Sequence, residues 1–180
     1  FSSAGGARIN TFERLPGGRL TAGLGENHYG RVLAAGSTEA GGGWLLGAIE
    51  GQVYDGPWSD IEENVEKVNG FIRWSGDNQN LSWSATAMYF DSSWNSADQI
   101  PQRAVDQGLI DPYGSLDRTL GGETRRTSLS GMVAWDGDDY LNELNAWVID
   151  YDFQLWSNFT YLLDDPVNGD QFEQLDRRTI

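Results

Sequence analysis

The chain has 180 residues, is 39% hydrophobic and 12% aromatic, and carries 27 acidic against 12 basic residues for a formal net charge of −15. That field repels nucleic-acid phosphates, and no basic patch offsets it, so nucleic acid is excluded as a partner. The absence of cysteine excludes disulfide scaffolds, thiolate metal sites and cysteine nucleophiles, and no apolar run approaches the roughly 18 to 20 residues of a membrane helix.

From its start, the chain reads as strands separated by turn chemistry. Residues 7–15 predict a first strand, closed by Pro16-Gly17-Gly18. Strands are expected over 19–26 and 31–37, around a small loop that holds His28, the only histidine. A Gly-rich turn over 38–43 leads into 44–54, where Leu45, Gly47, Ile49, Gly51 and Val53 interleave with Ala48, Glu50 and Gln52. An acidic connection over 55–64 precedes 65–75, where Val68, Gly70, Ile72 and Trp74 alternate with Lys67, Asn69, Phe71 and Arg73. The tight turn Gly76-Asp77-Asn78-Gln79 leads to 80–94, in which Leu81, Trp83, Ala85, Ala87 and Tyr89 alternate with Ser82, Ser84, Thr86 and Met88.

A long segment over 95–126 follows, with a short helix expected at 101–108 and capped by Gly108. Then comes 126–135, with Leu129, Gly131, Val133 and Trp135 opposed to Ser128, Ser130, Met132 and Ala134. The turn Asp136-Gly137-Asp138-Asp139 leads to a strand over 140–161, where Trp147, Ile149, Tyr151, Phe153 and Leu155 alternate with Asp150, Asp152 and Gln154. An acidic connection is expected over 164–177, and Thr179-Ile180 reads as the start of another strand. Neither end looks natural, so the chain is expected to be a fragment.

Period two places successive side chains on opposite faces, one apolar and one small, polar or charged. That pattern alone fits a half-exposed soluble sheet as well as a transmembrane wall. Two features favour the wall. Aromatics sit near strand ends, at Trp44, Tyr54, Trp58, Trp74, Tyr89, Trp94, Trp135 and Tyr140, where amphipathic rings form interfacial girdles. Connections also alternate between short and long, as in outer-membrane barrels. The expected fold is all-β, an antiparallel up-and-down transmembrane β-barrel of which the chain supplies roughly seven to eight strands.

No catalytic constellation emerges. A lone histidine cannot build an imidazole-rich metal site or offer a triad partner, and His28 reads as a solvated loop residue. Asp138-Asp139 suits a turn, and calcium at the acidic loops is the main alternative to plain solvation. Glu50, Lys67, Arg73, Asp150 and Asp152 read as lumen-facing polar residues, because charge is tolerated in a wet lumen and costly against lipid. Trp58, Trp94 and Tyr113 fall on expected outer loops, where they can stack on a ligand or anchor the interface. No phosphate-cradling glycine loop is present, and neither a cofactor nor a metal is expected.

Several phrases in order resemble the TonB-dependent outer-membrane receptors. Gly5-Gly6-Ala7-Arg8-Ile9-Asn10-Thr11-Phe12 is similar to the end of that family's plug domain, and Leu20-Thr21-Ala22-Gly23-Leu24-Gly25 to its first barrel strand. Tyr54-Asp55-Gly56-Pro57-Trp58, the segment from Ile100-Pro101-Gln102-Arg103 to Gly114-Ser115-Leu116-Asp117, and Asn168-Gly169-Asp170-Gln171-Phe172-Glu173-Gln174 resemble its loops. The resemblance implies a plug end over 1–17 and the N-terminal part of a barrel over 18–180. It further implies a non-enzymatic receptor in the outer membrane of a Gram-negative bacterium, embedded in outer-membrane lipid. Such a receptor takes up a scarce nutrient, such as a siderophore–metal chelate, a vitamin or an oligosaccharide, using an inner-membrane energy-coupling protein. A soluble β-sandwich that binds carbohydrate and a passive porin are the alternatives.

Overall fold

The computed structural model describes residues 10–97, 99–137, 139–158 and 172–180. Eight strands follow one another as β1 (Arg19–Leu24), β2 (Gly30–Ala40), β3 (Gly43–Tyr54), β4 (Val65–Asn78), β5 (Leu81–Asn95), β6 (Gly121–Asp136), β7 (Leu141–Ser157) and β8 (Phe172–Thr179). Among the described residues a single short helix, α1 (Gln102–Asp106), interrupts them. All eight lie in one antiparallel up-and-down sheet in chain order. β1 and β8 each pair on one side only, so the sheet is open.

Local chemistry sets the turns. Gly41 and Gly42 form a two-residue connection with φ of +58° and +78°, the doubly left-handed geometry that matches strand twist and that glycine adopts without a Cβ penalty. It pairs Ala40 with Gly43 and so fixes the β2–β3 register. Another two-residue turn pairs Asn78 with Leu81, and the β6–β7 turn pairs Asp136 with Leu141. These three turns lie at one end of the sheet. The connections 25–29, 55–64 and 96–120 lie at the other. The expected alternation of short and long connections is therefore present.

Pairing continues without a bulge from β1 to β8. One cross-strand row on one face runs Leu33, Glu50, Asn69, Phe90, Arg126, Tyr151, Arg178. This is the Glu50 face. A row on the opposite face runs Gly47, Ile72, Ala87, Leu129, Val148, and this is the Ile72 face. Among the described residues the buried hydrophobic side chains are Leu46 and Leu120 alone, at 5% and 2% exposure. Ile49 (61%), Leu129 (54%) and Leu144 (62%) stand open on the Ile72 face. A soluble domain buries such a face against a second layer, and the described residues supply none.

Several expected boundaries shift. Residues 10–15 form no strand, and residues 7–9 of that expected strand lie outside the described residues. Instead, the Leu15 N–H donates to Ser37 Oγ at 2.9 Å, and that hydroxyl donates back to the Leu15 carbonyl at 3.1 Å. The Arg14 guanidinium lies 5.1 Å over the Trp44 ring. Ser37 and Trp44 belong to the Glu50 face, so the lead-in segment rests on that face rather than joining the sheet. β4 runs through its expected turn to Asn78, β6 starts five residues early at Gly121, and β8 occupies much of the expected acidic loop. In each case a neighbouring strand supplies a ladder of partners that outweighs local turn preference. The short helix forms as expected, with Gly108 beyond it at φ +69°.

Candidate functional site

The Glu50 face carries the charged cluster. Arg31 donates to Glu50 through Nε at 2.9 Å and through a second guanidinium nitrogen. Lys67 Nζ lies 3.4 Å from Glu50 and 2.8 Å from Gln52 Oε1, and Asn69 donates to Glu50 at 3.1 Å. A carboxylate held by this many donors is fixed in place, and forked arginine contacts add geometric specificity. Arg73 reaches Thr86 Oγ1 at 3.3 Å on the same face. The two-residue turn at Gly41-Gly42 is the signal that identifies Arg31 as the missing member. Counting back from it sets Gln52 opposite Arg31 and Glu50 opposite Leu33, one step along the same face.

The five residues expected to share the lumen do not share a face. Glu50, Lys67 and Arg73 lie on the Glu50 face, whereas Asp150 pairs with Thr127 and Asp152 with Arg125, both on the Ile72 face. The five therefore cannot all line one side of the sheet. The reason lies in β7, whose apolar alternation changes phase midway. Leu144, Ala146 and Val148 point to the Ile72 face, and Ile149, Tyr151, Phe153 and Leu155 to the Glu50 face. Reading the upper half alone assigns the strand the wrong way round.

That phase change builds two further features that sequence reasoning missed. On the Ile72 face, Asp91, Arg125, Asp152 and Arg177 form one alternating cross-strand row. Arg125 Nε lies 2.7 Å from Asp91, and Arg177 Nε 3.1 Å from Asp152. Opposite charges facing each other across a sheet support the pairing. On the Glu50 face, Tyr151 and Phe153 stack at 6.2 Å with ring planes 8° apart, beside Arg126 and Phe90.

At the long-connection end the loops bind one another. Trp58 donates from its indole to Glu63 at 2.5 Å, and its ring lies 6.4 Å from that of Tyr113. The Ser59 N–H donates to the Tyr113 carbonyl at 3.0 Å, and Arg118 bonds Asp60 at 3.2 Å. The structure thus brings Trp58 and Tyr113 together. Trp94 sits apart at the end of β5, with its ring close to Gly122. His28 is paired with Asp55 rather than merely solvated, and it has a left-handed backbone (φ +53°).

Asp117 ties loop 96–120 to the top of β7. Burial opposes its charge, but the N–H and hydroxyl of Thr119 (2.9 and 2.6 Å) and the Asn158 amide (3.5 Å) donate to it. The donors prevail and hold the carboxyl below its usual range. Among the described residues no group of three or more His, Cys, Asp or Glu could hold a metal ion, and Asp138 lies outside those residues. No helix among them is long and apolar enough to cross a membrane, which says nothing of strands.

No family model, curated protein or solved structure matches the chain.

Proposed function

We propose that the chain forms part of the wall of an outer-membrane β-barrel that acts as an energy-coupled, non-enzymatic uptake receptor. The observation that carries this reading is the uncovered apolar belt of the Ile72 face. It runs across β2 to β7 through Val32, Ile49, Ile72, Leu129 and Val148, all exposed, and water alone is a poor solvent for such an area. Its margins are aromatic. Trp74, Trp83 and Trp135 lie towards the short turns, and Tyr89 lies towards the long connections. From Leu81 to Tyr89 the belt takes about nine residues of β5, the length with which a tilted strand crosses a bilayer core. Above Tyr89 the same face becomes the Asp91–Arg125–Asp152–Arg177 row, as suits a strand that emerges from lipid into water.

The Glu50 face is then the lumen side. Its network of Arg31, Glu50, Lys67 and Asn69 is satisfied by side chains, and the lead-in segment at Arg14 and Leu15 rests on it, where a plug would join the wall. The open edges at β1 and β8 take further strands to complete the barrel. The receptor role, the nutrient cargo (a siderophore–metal chelate, a vitamin or an oligosaccharide) and the inner-membrane coupling partner rest on the resemblance of the ordered sequence phrases.

The test is fractionation of the natural full-length protein from its cell envelope, followed by electrophoresis with and without boiling. The expected result is recovery in the outer membrane and a folded band that shifts on boiling. Recovery of a folded monomer in the soluble fraction without detergent sinks the reading and favours the carbohydrate-binding sandwich. Uptake that persists after the proton gradient is collapsed leaves a barrel but removes energy coupling, which is the porin outcome.

A further inference from the structure

The chain is strongly acidic, yet the long-connection half of the Glu50 face is not. There the strands present Arg31, Lys67, Arg126 and Arg178 against only Glu50 and Asp176, while Asp91, Asp150 and Asp152 stand on the opposite face. Glu50 is engaged by Arg31 and Lys67, and Arg178 by Asp176 at 2.5 Å. Arg126 is left over. Among the described residues its guanidinium has no ion pair, no hydrogen bond and no ring beneath it. It is exposed, and it stands between two aromatic neighbours, Phe90 on β5 and Tyr151 on β7.

Neighbouring strands place these side chains about 5 Å apart. Tyr151 is already stacked parallel with Phe153, so the two rings present a preorganised aromatic surface beside an unpaired planar cation. An arginine fork matches a carboxylate, and flat rings favour a flat ring. We propose that Phe90, Arg126, Tyr151 and Phe153 form a binding site for a small aromatic carboxylate. Its anion is gripped by Arg126, and its ring lies against Tyr151 and Phe153. The inference deepens the uptake reading and rests on it only in placing this face on the lumen, along the path of a cargo.

Equilibrium dialysis of the full-length protein in detergent, with three probes, tests the site: 2-naphthoate, its neutral amide, and cyclohexanecarboxylate. The expected result is saturable binding of 2-naphthoate, weakened at least ten-fold for either comparison probe. Arg126→Gln brings 2-naphthoate down to the level of the amide, and Arg126→Lys, which keeps the charge but not the fork, restores only part of the affinity. Tyr151→Ala weakens 2-naphthoate about ten-fold and leaves cyclohexanecarboxylate unchanged. Boiling-sensitive migration of each variant verifies that it is folded. Absence of 2-naphthoate binding overturns the proposal, including the case in which another part of the chain occupies Arg126. Equal binding of cyclohexanecarboxylate, or a folded Arg126→Gln variant with unchanged affinity, also overturns it. Outer-membrane recovery without binding sinks this inference alone, whereas binding by a water-soluble protein sinks the uptake reading and leaves the site.

Discussion

On β5, β6 and β7 the Ile72 face has two halves that are chemically unlike. Towards the short turns it is Ile72, Ala87, Leu129 and Val148 with tryptophans below. Towards the long connections it is Asp91, Arg125, Asp152 and Arg177. The change falls at one height on several strands at once, and on β7 it appears as the switch of the apolar residues from even to odd positions. A face of a sheet thus has a vertical profile as well as a sidedness. The charged half is paired across its strands, and the apolar half is uncovered among the described residues.

The comparison breaks most readily by moving charge into the apolar half. In a bilayer, Leu129→Arg should cost about 2–4 kcal/mol, whereas Ser128→Arg, one residue away and facing the other side, should stay within about 0.5 kcal/mol. Urea unfolding in lipid vesicles measures both, and equal costs would erase the distinction between the faces. Next comes Glu50→Ala, which leaves Arg31 and Lys67 facing each other without their shared anion. A loss of about 1.5–3 kcal/mol is expected by the same measurement, and Arg31→Ala in that background should recover part of it.

Gly42→Ala puts a Cβ on a backbone at φ +78° and should cost about 1–2 kcal/mol, read as a lower urea midpoint at unchanged slope. The Asp117 contribution is smaller. Its folded pKa lies below the unfolded value, so its stabilisation is present above the unfolded pKa and is lost as pH falls through the folded one. Protection of the loop 96–120 amides relative to their intrinsic exchange rates should therefore fall only in acid, and Asp117→Asn should remove that pH dependence. The smallest effect is expected for Arg125→Ala, because Arg125 is exposed. The fall in unfolding midpoint should be measurable at low salt and fade as salt screens the row.

Strand identity was largely legible from sequence, because period two and turn residues act locally. The alternation read over the middle of β3 to β6 agrees with the register, which sets Glu50, Lys67 and Arg73 on one face and Ile49, Ile72, Ala87 and Leu129 on the other. β7 did not yield to the same reading, because its phase change takes meaning only from the neighbours that hold it. Asp150 and Asp152 look like lumen residues in isolation and become part of the charged row once Thr127, Arg125 and Arg177 are placed beside them. The Arg126 site was hidden for the same reason, since Phe90, Arg126 and Tyr151 are far apart in the chain. Only the joint register of β5, β6 and β7 makes them neighbours.

The open margins of the sheet have a consequence for how the molecule is handled before it reaches its final setting. β1 and β8 each carry a row of main-chain N–H and C=O groups with no ladder partner, and such rows template the addition of any extended segment they meet. In a wall they recruit the next strand. In water, beside a bare apolar face, they recruit another copy, and the product is an aggregate. The same backbone chemistry thus makes assembly a race, which an escort that covers either margin would tilt towards closure.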